Sequence, residues 1–240
     1  TVEDAARALF GRSHGEANLL ALKYRSNLLA RGLAPATVSR RLAAVRSLSA
    51  LARRIGLVGW RIEVESVPVE PLRDCRGPAE AEYVALLSVL DRRRGVKATR
   101  DRAIVRLMHD CALRRGEVVA LDVPDVLDET DGMALAVLGK GRREKVRVTL
   151  PEPTRDAVQT WLDARRTLAA PDAGPLFVNV SRDPSVRGSR LTGDAVGQLV
   201  GRLGQDAGVA RRIKPHGLRH GAITKALDLT NGDVRRVASF

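Results

Sequence analysis

His216 and Arg219 stand three residues apart in Lys214-Pro215-His216-Gly217-Leu218-Arg219-His220, so both share one face if the segment is helical from its first turn. Imidazole can move a proton near neutral pH, whereas guanidinium keeps its charge and neutralises two oxygens at once. Chemistry at a phosphate needs one of each. Upstream, Arg114 ends a helical run in Ala112-Leu113-Arg114-Arg115-Gly116-Glu117-Val118, with an acid three residues later. Arg115 competes for the same role one residue on, and such an arginine can equally be an ion-pair partner of Glu117. Lys140 sits in Gly139-Lys140-Gly141, where glycines allow a sharp turn close to a ligand and a lysine can surrender a proton that an arginine holds. Lys145 is its rival within the following strand, and His220 reads as a packed or hydrogen-bonding histidine.

The whole chain is built for a polyanion. Its 240 residues carry 41 Lys and Arg against 28 Asp and Glu, a net charge of +13, with a pI near 10.9. Only six of the basic residues are lysines (Lys23, Lys97, Lys140, Lys145, Lys214 and Lys225), and the remaining arginines carry the planar fork that grips phosphate through two hydrogen bonds. Aromatic residues are 3% of the chain, too few to stack exposed bases, which favours duplex DNA held by its backbone. No apolar run reaches the length of a membrane span and no signal-peptide order opens the chain, so a cytoplasmic, nucleoid-associated protein is expected. Cys75 and Cys111 lie far apart without neighbouring ligands, so neither a disulfide framework nor a metal site is expected.

The elements that would position these groups are mostly helical. Glu16 to Gly56 reads as two helices joined at Gly32-Leu33-Ala34-Pro35, the second with an apolar stripe of Val38, Leu42, Val45, Leu48, Leu51 and Ile55. Arg40, Arg41, Arg46, Arg53 and Arg54 fall on its other positions, either as a DNA-facing stripe or as a solvated face. Gly59 to Pro78, punctuated by prolines, reads as a linker. Helices are expected at Ala79–Arg94, Thr99–Leu113, Thr154–Leu168, Gly193–Ala207, Leu218–Leu227 and Asp233–Ala238. Met133, Leu135 and Val137 alternate before the glycine turn and Val146, Val148 and Leu150 after it, a β-hairpin with a basic tip.

An ALRxxE segment, a GKG hairpin turn and an HxLRH segment, in that order, make Ala79 to Phe240 resemble the catalytic domain of the tyrosine recombinases, the phage integrase family. Glu16 to Gly56 resembles that family's core-binding domain less specifically. The resemblance implies a mainly α fold with a small β-hairpin or sheet (α+β), divided as residues 1–70, core-binding domain with linker, and 71–240, catalytic domain incomplete at its C-terminus. It implies a clamp around duplex DNA, strand cleavage through a 3′-phosphotyrosine, no cofactor, and assembly of dimers to tetramers on DNA. Arg114 and Arg219 would stabilise the pentacoordinate phosphate, His216 would assist proton transfer at the nucleophile, and Lys140 would protonate the leaving oxygen. Arg40, Arg41, Arg142, Arg143, Lys145, Arg187 and Arg190 are the candidate DNA contacts.

Two departures stand out. Ala112 replaces the family's usual glycine, and no tyrosine follows Tyr83. The nucleophile is therefore expected beyond Phe240, and this chain is expected to bind DNA without forming a covalent adduct. A type IB topoisomerase shares the chemistry and is the second enzyme reading; a non-catalytic duplex-binding protein derived from a recombinase is the reading from another class.

Overall fold

The computed structural model describes residues 1–68, 77–130, 132–169 and 172–234. The chain divides into two compact units, Thr1–Arg73 and Asp74–Phe240. The first opens on α1 (Val2–Phe10), a helix the apolar periodicity does not announce; reciprocal hydrogen bonds between Thr1 and Asp4 cap its start. Ser13 and Glu16 cap α2 (His14–Ala30) in the same way. Gly32 turns the chain at φ +72°, and Pro35 opens α3 (Pro35–Arg54).

The buried face of α3 follows the expected stripe only over its first half, where Val38 and Leu42 are buried and Val45 packs against the core. Further on, Ser49 and Ala52 are buried, while Leu48, Leu51 and Ile55 are about half exposed or more. The reason lies in the segment assigned to the linker. Ile62 and Val64 alternate into the core formed by Ala21, Leu28, Val38 and Leu42. The Ile62 N–H donates to Ser49 Oγ at 3.0 Å, which turns the small-residue face of α3 toward it. Only the later part of the expected linker is outside the described residues, and Cys75 lies there too.

The second unit is arranged around α5 (Val96–Asp110), whose Ala103, Ile104, Val105, Leu107 and Met108 are fully buried. Packed against it are α4 (Glu80–Arg92), α6 (Arg115–Ala120), α7 (Glu152–Arg165), α8 (Gly193–Asp206) and α9 (Pro215–Leu229). Thr192 caps α8 by accepting from the Ala195 N–H. The hairpin forms as β2 (Gly132–Leu138) and β3 (Lys145–Thr149), with Val137 opposite Val146. A further strand, β1 (Val126–Glu129), pairs antiparallel with β2 and completes a three-stranded sheet in the order β1-β2-β3. Because β3 is an edge strand, Val146 is exposed, against the expected alternation. Leu176, Phe177 and Val178 are buried, and the Trp161 indole stacks on Phe177 and donates to the Leu176 carbonyl. The architecture is mainly helical with a small antiparallel sheet, as expected. The helix expected at Asp233–Ala238 falls almost entirely outside the described residues.

Candidate active site

Arg114 occupies the joint between α5 and α6. Ala112 adopts φ +50° just beyond α5, and the Leu113 N–H reaches back to the Leu107 carbonyl at 3.2 Å, which closes the helix end. The chain leaves this turn extended at Arg114, the N-cap of α6. Glu117, buried in the first turn of α6, accepts from the Arg114 backbone N–H and from its Nη1, each at 2.7 Å. The ion-pair reading of the ALRxxE motif is the one seen here: the glutamate pairs with the arginine and fixes its direction, leaving the guanidinium half exposed.

His216 and Arg219 lie on the first two turns of α9, which starts at Pro215, earlier than expected. Arg219 Nη1 donates to the carbonyl of Ala112, so the turn before Arg114 holds the second arginine as well. Burial and then the nearby charge of Arg114 weaken the hold of Arg219 on its proton, the cost of placing two cations together. Burial comes first for His216 too, followed by His220, Arg219 and Arg114, and holds its imidazole below the ordinary value. From behind, α9 is held by Gly77. A Cβ at Gly77 would lie 2.2 Å from Gly221 N and 2.5 Å from the Gly217 carbonyl oxygen. The Gly77 carbonyl accepts from Arg211 Nη2 at 2.6 Å, and Arg211 also pairs with Glu82.

Arg114, His216 and Arg219 line one cavity of roughly 750 Å³, although Arg114 and His216 are about a hundred positions apart. Two further cations on its wall, Arg212 and Lys214, escaped the sequence reading. They belong to an extended segment in which alternate residues point to opposite sides: Ile213 is buried in the core, and Arg212 and Lys214 are exposed toward the cavity. Neither has an acidic partner among the described residues. Arg115 also lines the cavity, lying across Gly193 and Gly197 of α8, while Arg212 crosses Gly201. The glycines at every fourth position of α8 were the available signal, since side chains there would occupy the space of these guanidinium groups.

Lys140 is not brought into this cavity. It is exposed in the turn between β2 and β3. Lys145, its rival, is ion-paired with the buried carboxylate of Asp125. Arg142 and Arg143 are exposed beside Lys140, and Arg187 in the loop before α8. Arg190 is engaged structurally, with Asp122 and the Val119 and Leu121 carbonyls. In the first unit Arg40 and Arg41 are exposed, but Arg46 is tied to the Val64 carbonyl and Ser66. Tyr83 is buried and donates its hydroxyl to Asp110, 2.8 Å away.

Residues 79–238 match the phage integrase family. The chain belongs to that family. Among relatives of this integrase-family chain is the tyrosine recombinase slr0733 of Synechocystis sp., 38% identical over 93% of this chain and 70% of the relative. The tyrosine recombinase XerC of Chromohalobacter salexigens is 30% identical over 86% of this chain and 65% of the relative. The solved XerH site-specific recombinase in its pre-cleavage complex with difH shares the fold, with a TM-score of 0.68 at 20% identity. That match covers 92% of this chain and 62% of XerH. The chain thus spans between 62% and 70% of the length of these three proteins. As a phage integrase family member it departs at Ala112, where the left-handed backbone explains why glycine is usual.

Proposed function

We propose that this protein grips duplex DNA and activates one backbone phosphate for strand exchange in site-specific recombination. Family membership sets that class of activity, and the convergence of Arg114, His216 and Arg219 on one cavity carries its assignment to this site. Arg114 and Arg219 neutralise the non-bridging oxygens as negative charge builds on the pentacoordinate phosphorus, an interaction strongest in the transition state. His216, its basicity lowered by burial and the neighbouring cations, moves the proton of the attacking hydroxyl. Lys140 supplies the proton to the leaving 5′ oxygen; the engagement of Lys145 with Asp125 supports Lys140 for this role. Arg212 and Lys214, without acidic partners, extend the cationic wall toward a neighbouring phosphate, and Arg40, Arg41, Arg142, Arg143 and Arg187 add backbone contacts. Such a protein works on chromosomal DNA in the cytoplasm, as two to four protomers at one DNA site.

Fluorescence anisotropy of a mixed-sequence 30-base-pair duplex tests this reading. Log affinity should fall linearly with log salt, with a slope of about −0.9 for every phosphate neutralised. The double variant Arg212→Gln/Lys214→Gln should flatten that slope by about one phosphate's worth. Equal binding at all salt concentrations, or preference for single strands, would overturn the proposal.

A further inference from the structure

Helix α9 separates two cavities. His216 lines the one that holds Arg114 and Arg219, whereas His220, one helical turn on, lines a second of roughly 1090 Å³ on the side of Gly77 and α4. The two rings meet edge to face, their centroids 4.4 Å apart at an interplanar angle of 83°. Their Nε2 atoms are 3.0 Å apart. Two imidazole nitrogens attract at that distance only when one carries a hydrogen and the other does not. The contact therefore admits one proton between the two nitrogens.

We propose that His220 is a positioning residue and proton partner of His216, the pair sharing a single proton between their Nε2 atoms so that Nδ1 of His216 is the nitrogen left for the reaction. The catalytic part rests on the recombinase reading above; the shared proton rests on the ring contact alone. Before reaction, His216 Nε2–H donates to the bare Nε2 of His220, which carries its own hydrogen on Nδ1. When His216 Nδ1 takes the proton of the attacking hydroxyl, its Nε2 proton passes to His220. His220 then releases its Nδ1 proton to water in the second cavity. Both rings end neutral with their tautomers exchanged, and the site has discharged a proton away from the cationic side. That direction follows from the charges: Arg114, Arg115, Arg212, Lys214 and Arg219 with the single acid Asp194 line the cavity on one side, whereas Glu80, Glu82 and Asp228 accompany His109, Arg211 and Lys225 around the other.

Ring-15N NMR tests the pair in the chain itself, which has only four histidines to assign. The His216 ring signals should follow pH in two steps, because a second proton on the pair would place two cations in contact. Above both steps His216 should show the Nε2–H tautomer. His220→Phe keeps a ring but removes the nitrogens, and His216 should then titrate in one step; His220→Gln, which can still accept a hydrogen bond, should restore the Nε2–H tautomer. Unmoved His14 and His109 signals establish that each variant keeps its fold, and if His220→Phe moves them, the tautomers of the wild type and of His220→Gln decide. A single, unchanged His216 titration in wild type and His220→Phe, or a bare Nε2 on both rings of the wild type, would overturn the proposal. Neither result touches duplex binding, whose loss would instead strike the recombinase reading and leave the shared proton standing.

Discussion

Gly77→Ala adds one methyl group, yet it should disable the site from outside the cavity. The new Cβ would fall 2.2 Å from Gly221 N, 2.4 Å from Gly221 Cα and 2.5 Å from the Gly217 carbonyl oxygen, where real contacts do not go below 3.0 Å. All three neighbours are backbone atoms of α9, so no side chain can swing aside; the helix itself must retreat by about 1 Å. Over-packing of this kind costs roughly 1–3 kcal/mol, a fall of about 2–12 °C in melting temperature for a protein of this size. The larger effect is on His216 and Arg219, since a displacement of about 1 Å in a catalytic group costs on the order of a hundredfold in rate. Retreat of α9 also strains the hydrogen bond that Arg211, just before the helix, donates to the Gly77 carbonyl. The assay is thermal unfolding beside strand cleavage of a nicked duplex, the latter in a protein that carries the nucleophilic tyrosine expected beyond Phe240. As a control, Gly116→Ala has nothing within 4 Å of its new methyl group and should melt no lower than wild type. If Gly77→Ala melts and cleaves like wild type, α9 is not held by this glycine contact and the reasoning fails.

Ala112→Gly should leave stability unchanged or raise it by up to about 1 kcal/mol, because relief of the left-handed backbone at φ +50° offsets the lost methyl group and the freer unfolded chain; a urea midpoint clearly below wild type would refute this. Asp110 should matter most above pH 4. Burial opposes its charge, but hydrogen bonds from His109, Thr154 and Tyr83 overcome it and hold the carboxyl at about 2, against an ordinary 3.8. A depressed folded value stabilises above the unfolded one, so the advantage over Asp110→Asn should be roughly 2 kcal/mol at pH 6 and shrink as pH falls from 3.8 toward 2; a gap independent of pH would contradict the assignment. In strand cleavage by a protein that carries the nucleophilic tyrosine, Lys140→Ala should be partly rescued by a substrate with sulfur at the 5′ bridging position, because thiolate leaves without a proton, whereas Arg114→Ala and Arg219→Ala should slow cleavage on the order of a hundredfold or more without such rescue. Rescue of Lys145→Ala instead would move the general acid to that lysine.

What could be read from the chain alone follows from how locally each feature is specified. Arg114, His216 and Arg219 were legible because their neighbours recur in fixed order, and α5, α8 and the hairpin because long apolar patterns and capping residues specify them. Arg212 and Lys214 were hidden, since their side of the chain is set by Ile213 entering the core. The two-residue alternation of Ile62 and Val64 was present but outweighed by the prolines after it. For Leu48, Leu51 and Ile55 the pattern was sound as a helix signal and wrong as a burial signal, because packing against Ile62 turned the helix by its small residues. β1 carries no alternation to see and exists only because β2 offers it an edge.

The central claim is that Arg114, His216 and Arg219 together hold a phosphate of duplex DNA. The most direct measurement follows the ring-15N signals of His216 while a mixed-sequence duplex is added at low salt, with anisotropy recorded on the same samples. His216 should shift saturably in step with binding, return when salt is raised, and shift much less in Arg114→Gln/Arg219→Gln. Duplex binding at full affinity with His216 unmoved would place the DNA elsewhere on the protein and contradict that claim.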